Sequence, residues 1–183
     1  MSTWSLQPPR LRDDADRQIE RRTSWLDLFF DLVFVAIIAQ LSARLSAHPD
    51  ATGIAEFALL FVPVWWVWIG GVFYNERFET DDLGQRVITL LQMLPAVVMA
   101  ATIHRGLEGF VPFALAYVAA RVVLIGMWLR AGWHNPVARP INDRFAAGFG
   151  LSVLCWLVAT ITPRGTALAL AGAGLLIDLF TPF

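Results

Sequence analysis

The stretch Phe57-Ala58-Leu59-Leu60-Phe61-Val62-Pro63-Val64-Trp65-Trp66-Val67-Trp68-Ile69 carries no charge, and its reading decides the fold. A half-buried strand alternates apolar and polar residues, and this run does not. With its flanks it approaches the roughly 20 apolar residues that a helix needs to cross the hydrocarbon core of a bilayer. Strands of an outer-membrane barrel are alternating segments of about ten residues, so a barrel is excluded. Pro63 falls in mid-span, which a membrane helix tolerates when its neighbours satisfy the freed carbonyl.

Working outward, five further apolar stretches are bounded by Arg, Trp, Gly or Pro, and Pro95 falls inside one of them. Membrane spans are predicted near 25–46, 53–74, 86–104, 110–130, 145–162 and 166–182. The sixth is short and rich in glycine. The expected fold class is all-α: a polytopic transmembrane bundle of about six helices over residues 25–183. Composition agrees, with 57% hydrophobic and 16% charged residues and a mean hydropathy of +0.58, against about 45–50% and about 25% in soluble domains. Residues 1–24 form a polar leader, with 1–16 expected to be largely disordered and 17–24 a juxtamembrane segment. No small-residue cleavage site follows the first apolar run, so the leader is not a cleaved signal peptide.

All fourteen basic residues are Arg, and their distribution predicts orientation. Arg10, Arg12, Arg17, Arg21, Arg22, Arg77, Arg86, Arg130, Arg139 and Arg144 fall on one side of the six spans; Arg44, Arg105 and Arg164 fall on the other. The positive-inside rule then puts the N-terminus in the cytoplasm. A net charge of −1 excludes a simple basic-patch nucleic-acid binder. The single cysteine, Cys155, lies in an apolar run and supports no disulfide framework or zinc knuckle. The predicted partner is the lipid bilayer, and no cofactor or metal is expected.

The informative polar residues are those inside the apolar spans. Ser24-Trp25-Leu26-Asp27 reads as a capping box opening the first helix, with Trp25 at the interface. Asp31 lies one turn beyond Asp27, about 13–14 Å along the axis from Arg22. Arg121, surrounded by Tyr117, Val118, Val122 and Val123, lies about 13–14 Å from Arg130. A lone ionised group at such depth costs at least about 2.5–3.5 kcal/mol on insertion scales. Asp31 and Arg121 are therefore predicted to pair in the bundle interior, with Asp178 near the same depth. The three either line a path for an ion or small-molecule substrate or only fix helix packing. Gln92, Glu56 and His104 read as helix-end or interhelical hydrogen-bonding groups. In the polar loop from Tyr74 to Arg86, Thr80 or Asp81 can cap the third span and Asp82 can pair with Arg86. The spacing of its carboxylates does not guarantee a cation site.

The run Arg22-Thr23-Ser24-Trp25-Leu26-Asp27-Leu28-Phe29-Phe30-Asp31-Leu32-Val33-Phe34-Val35 resembles the opening motif of the bacterial low-temperature-requirement protein A (LtrA) family. Asn75, Phe78, Glu79, Thr80, Asp81 and Asp82 resemble that family's Asn-x-Phe-Asp-Thr-Asp-Asp loop, with Glu79 in place of Asp and Glu76 as an extra residue. Weaker matches are Ala116-Tyr117-Val118 with Arg121, and Leu176 to Pro182. The resemblance covers residues 22–183. It implies a multi-pass protein of the bacterial cytoplasmic membrane, linked to growth at low temperature and without an established biochemical activity. Members are longer, so the chain reads as an N-terminal half, either truncated or needing a partner, which includes a homo-oligomer. The functional expectation is a transporter or channel-like protein with a buried Asp/Arg polar site; the alternative is a structural or regulatory membrane protein. Enzymatic activity is not expected, because no His-Glu-x-x-His, Gly-x-Ser-x-Gly or nucleophile beside a base is present.

Overall fold

The computed structural model describes residues 9–11, 25–79 and 83–181. Its long elements are α1 (Trp25–Ala47), α2 (Ala51–Arg77), α3 (Leu83–Ile103), α4 (Phe110–His134), α5 (Arg139–Ala159) and α6 (Arg164–Phe180). A short 3₁₀ turn, Gly106–Gly109, leads into α4. Each helix overlaps one of the six apolar stretches of the sequence. The largest difference is at α5, which starts at Arg139, ahead of the apolar run. Pro140 lies in its first turn, where a missing N–H leaves no bond unmade.

Helices α1 to α5 are each long and apolar enough to cross a membrane, while α6 has 17 residues. Their outward faces are apolar too. Leu32 and Val35 on α1, Leu94 and Val97 on α3, and Leu151 and Leu154 on α5 are all exposed. Helices that are apolar on every side need lipid as their solvent, and the molecule is a helical membrane bundle.

Helix α4 is the centre of this bundle. It packs against α3, α5 and α2, while α1 contacts α2 and α3, and α6 packs on α5. Lipid tails are as apolar as leucine, so close packing and interhelical polar bonds hold membrane helices together rather than a hydrophobic drive. Small residues on α4 meet that need, with Ala114, Ala120, Ala131 and Gly132 all buried. Around them Ile37, Val64, Met99 and Phe113 form one core cluster. Tyr74, Phe78 and Trp128 form another at the end of the bundle that carries the C-termini of α2 and α4.

Two short strands cover that end. β1 (Arg10–Leu11) pairs antiparallel with β2 (Phe78–Glu79), Arg10 opposite Glu79 and Leu11 opposite Phe78. Pro9 O accepts a 2.5 Å hydrogen bond from Asn135 Nδ2. Part of the leader expected to be disordered is thus built onto the bundle. A two-residue strand has no periodicity to read, and its partner lies almost seventy residues away. The predicted juxtamembrane segment 17–24, the Ser24 cap, and Thr80, Asp81 and Asp82 lie outside the described residues.

At the opposite end an ion pair joins three segments. Arg44 near the end of α1 donates from Nε and Nη2 to both carboxylate oxygens of Glu56 on α2, at 3.0–3.2 Å. Arg44 Nη1 also donates to His104 O at 3.0 Å, and Glu56 Oε1 accepts from Leu107 N at 2.8 Å. Gly106 has a φ of +54°, and a Cβ on it would collide with both side chains, so only glycine makes this turn at low cost. The side chains of Arg44 and Glu56 are 27% and 17% exposed, so the pair is largely shielded from water. Glu56→Ala is expected to cost about 1.5–3 kcal/mol, the range for hydrogen bonds to a charged group. Thermal unfolding in detergent checks this, with Glu56→Gln losing less because it keeps an acceptor for Leu107 N–H.

Candidate functional site

The site begins with the sequence of α6. Ala167, Ala171, Gly174 and Asp178 recur at helical spacing and form its buried face. A Cβ on Gly174 would lie 2.7 Å from Trp156 Cδ1 and 3.3 Å from Ser152 O. Glycine there lets α6 lie close on α5, and one turn later Asp178 is carried into the interior. On α4, Tyr117 and Arg121 are one turn apart and share a face.

These residues form a buried polar centre. Arg121 is 1% exposed and Asp178 0%, and they form an ion pair at 3.1 Å between Nη2 and Oδ2. Tyr117 donates its hydroxyl to Asp178 Oδ2 and accepts from Arg121 Nε at 3.0 Å and Nη2 at 2.9 Å. Ser152 on α5 donates to the same Oδ2 at 2.9 Å. Donors from two helices thus converge on one carboxylate oxygen of a third. The guanidinium is also flanked by aromatic rings, with Cζ 5.0 Å from the Phe149 centroid, 5.1 Å from Tyr117 and 5.9 Å from Trp66. Such contacts suit a weakly hydrated cation away from water.

Of the predicted residues, Arg121 and Asp178 come together and Asp31 does not join them. Asp31 is exposed and accepts a 2.8 Å hydrogen bond from Trp68 Nε1 of α2. The expected Asp31–Arg121 pair is corrected to Arg121–Asp178. Axial spacing fixes the depth of a side chain in a helix but not the direction from which a partner arrives. α1 packs on α2 and α3, whereas Arg121 meets α5, α6 and the Trp66 and Gly70 positions of α2. Asp27 is half-buried in the first turn of α1, where a carboxylate suits the helix dipole. In the loop motif, Asn75 Oδ1 accepts from Gln85 Nε2 at 3.3 Å, Phe78 is buried, and Glu79 lies in β2. Glu56 is an interhelical hydrogen-bonding group as expected, and Gln92 is buried.

Sequence reading missed Tyr117 and Ser152 as members of the centre. The signals were present: a tyrosine four residues before a buried arginine, and a lone hydroxyl inside the apolar run 145–159. It also missed a cavity of about 570 Å³ between α2, α4 and α5. Its walls include Trp66, Phe73, Arg77, Arg121, Trp128 and Phe149. The cavity extends from the polar centre toward the end of the bundle covered by β1 and β2. Among the described residues, no group of three His, Cys, Asp or Glu side chains could hold a metal ion.

Removing one partner of a buried pair leaves an uncompensated charge, at a cost of about 3–5 kcal/mol. Asp178→Ala is expected to lower stability by about that amount, while Arg121→Met combined with Asp178→Leu recovers most of it. Asp31→Asn, which keeps an acceptor for Trp68, is expected to change stability by less than about 1 kcal/mol. Detergent-denaturation midpoints of the four proteins, wild type included, check the ranking. An Asp31→Asn loss equal to that of Asp178→Ala would contradict the pairing described.

The chain is 36% identical over 105 residues to the uncharacterized protein RA0937 of Rhizobium meliloti (strain 1021), a match covering 56% of this chain and 25% of that relative. The matched part is therefore about a quarter of the relative's length. No solved structure matches the chain. The model of the bacterial low temperature requirement A protein (LtrA) family matches residues 22–183, and the chain belongs to that family.

Proposed function

We propose that this chain is the ligand-binding part of a multi-pass transporter or channel-like protein of the bacterial cytoplasmic membrane. The observation that carries the reading is the junction of the cavity with the buried Arg121–Asp178 centre. Arg121 lies eleven residues into α4, about 16 Å from its start and near mid-helix. Ionisable groups at such depth mark substrate or proton paths by default, and secondary transporters hold substrate near the midplane. With the arginine-rich side of the bundle in the cytoplasm, the cavity belongs to the cytoplasmic half. No enzymatic step is proposed. Further helices, or a second copy, complete the path on the other side of the polar centre.

A second reading, a structural or regulatory membrane protein, is favoured by one observation: Arg121, Tyr117, Ser152 and Asp178 bond mutually and are all buried. The Arg121→Met/Asp178→Leu protein separates the two, because it removes the charges while keeping a packed interior. Transport predicts protein-dependent ion or proton flux in reconstituted vesicles, absent from the double variant even though it assembles. If the double variant assembles and supports growth at low temperature, and neither it nor wild type carries protein-dependent flux, the structural reading holds and transport is refuted.

A further inference from the structure

The cavity carries chemistry that the polar centre does not use. Arg121 Nη1, Arg77 Nε and Trp128 Nε1 are buried N–H donors with no hydrogen-bond partner among the described residues, and all three residues line this one cavity. Buried donors in native proteins are almost always paired, and leaving one unpaired in an apolar site is costly. Here three converge. Arg121 is itself 1% exposed, and Gly70 keeps space beside its free nitrogen: a Cβ on Gly70 would stand 3.3 Å from Nη1.

We infer that this cavity binds an organic monoanion, a carboxylate joined to an apolar body, with the carboxylate held by Arg77, Arg121 and Trp128. The donor set chooses the sign. Arginine and indole N–H groups have no acceptor to offer, so a cationic or donor-only ligand leaves them unpaired. Glu76, the remaining ionisable residue of the wall, is exposed, and its charge is screened by water. Charge balance chooses the valence. Among the described residues Asp178 already neutralises Arg121 and Arg77 forms no ion pair, so its charge is left to be matched by one negative charge. The rest of the wall chooses the body, since Trp66, Ile69, Phe73, Phe145 and Phe149 present aromatic and aliphatic surface. A volume of about 570 Å³ suits a small organic molecule rather than a bare ion. As the substrate class of a transporter this rests on the transport reading; as a binding site it stands apart from it.

The test is equilibrium binding to the purified full chain in a non-ionic detergent, followed by tryptophan fluorescence. The probes are benzoate, octanoate and palmitate, with octanol, octylamine and inorganic phosphate as comparisons. Saturable binding of a carboxylate at least tenfold tighter than that of octanol, octylamine or phosphate is expected. Arg77→Gln and Trp128→Phe, which leave the Arg121–Asp178 pair intact, are each expected to weaken it several-fold. Gly70→Ala narrows the space beside Arg121 without removing a donor and is expected to weaken it too. Tightest binding of palmitate would identify a lipid-derived acid, and tightest binding of benzoate a water-soluble one. Equal affinity for octanol and octanoate overturns the inference, as does equal affinity for phosphate. So does unchanged carboxylate affinity in both Arg77→Gln and Trp128→Phe when their unfolding midpoints match wild type. Binding is measured without a membrane gradient, so carboxylate binding without flux refutes transport alone, and flux without carboxylate binding refutes this inference alone.

Discussion

The ion pair between Arg121 and Asp178 governs how the second half of the bundle is put together. A guanidinium in the middle of α4 is untenable in lipid without a counter-charge, and the counter-charge arrives on α6. To deliver it, α6 must approach α5 closely enough for Asp178 to pass Ser152 and reach Tyr117 and Arg121. The small-residue face Ala167, Ala171 and Gly174 permits that approach. In this way one electrostatic requirement sets the packing of three helices.

The energy scale explains why a pair of this kind is so sensitive to single changes. An interhelical hydrogen bond in a membrane protein contributes on average only about 0.6 kcal/mol, because polar groups also find partners in the unfolded state within the membrane. Losing one partner of a buried ion pair has an effect several times larger. The centre therefore adds modestly to net stability but discriminates strongly against arrangements in which Arg121 lacks Asp178. Alanines on α4 supply the close packing, and the Arg44–Glu56 pair fastens the opposite end of the bundle.

The same centre leaves one guanidinium nitrogen facing away from Asp178. Phe149 and Trp66 flank the cation on its way to the cavity, and further along Tyr74, Phe78, Trp128 and Phe145 pack edge-to-face or tilted with centroids 4.5–5.8 Å apart. These large rings prop α2, α4 and α5 apart where small residues would let them close. Structural need and the proposed ligand site thus share one constellation, with Asp178 satisfying one side of Arg121 and the cavity open on the other.

By itself the sequence determined the elements. Continuous apolar runs of about 20 residues define the helices, because the bilayer thickness sets that length, and the motifs from Arg22 to Asp82 were sufficient to suggest the family. It also determined that Arg121 must have a counter-charge, since burial in lipid demands one. Only the tertiary structure decided which. Asp31 and Asp178 are alike in chemistry and near in depth, and the choice depends on which helix packs against which face of α4. That is a matter of side-chain packing across segments far apart in the chain, which helical periodicity does not encode. The cavity was hidden for the same reason: Arg121 and Trp128 share a face of α4 at i,i+7, but Arg77 joins them only when α2 and α4 pack side by side.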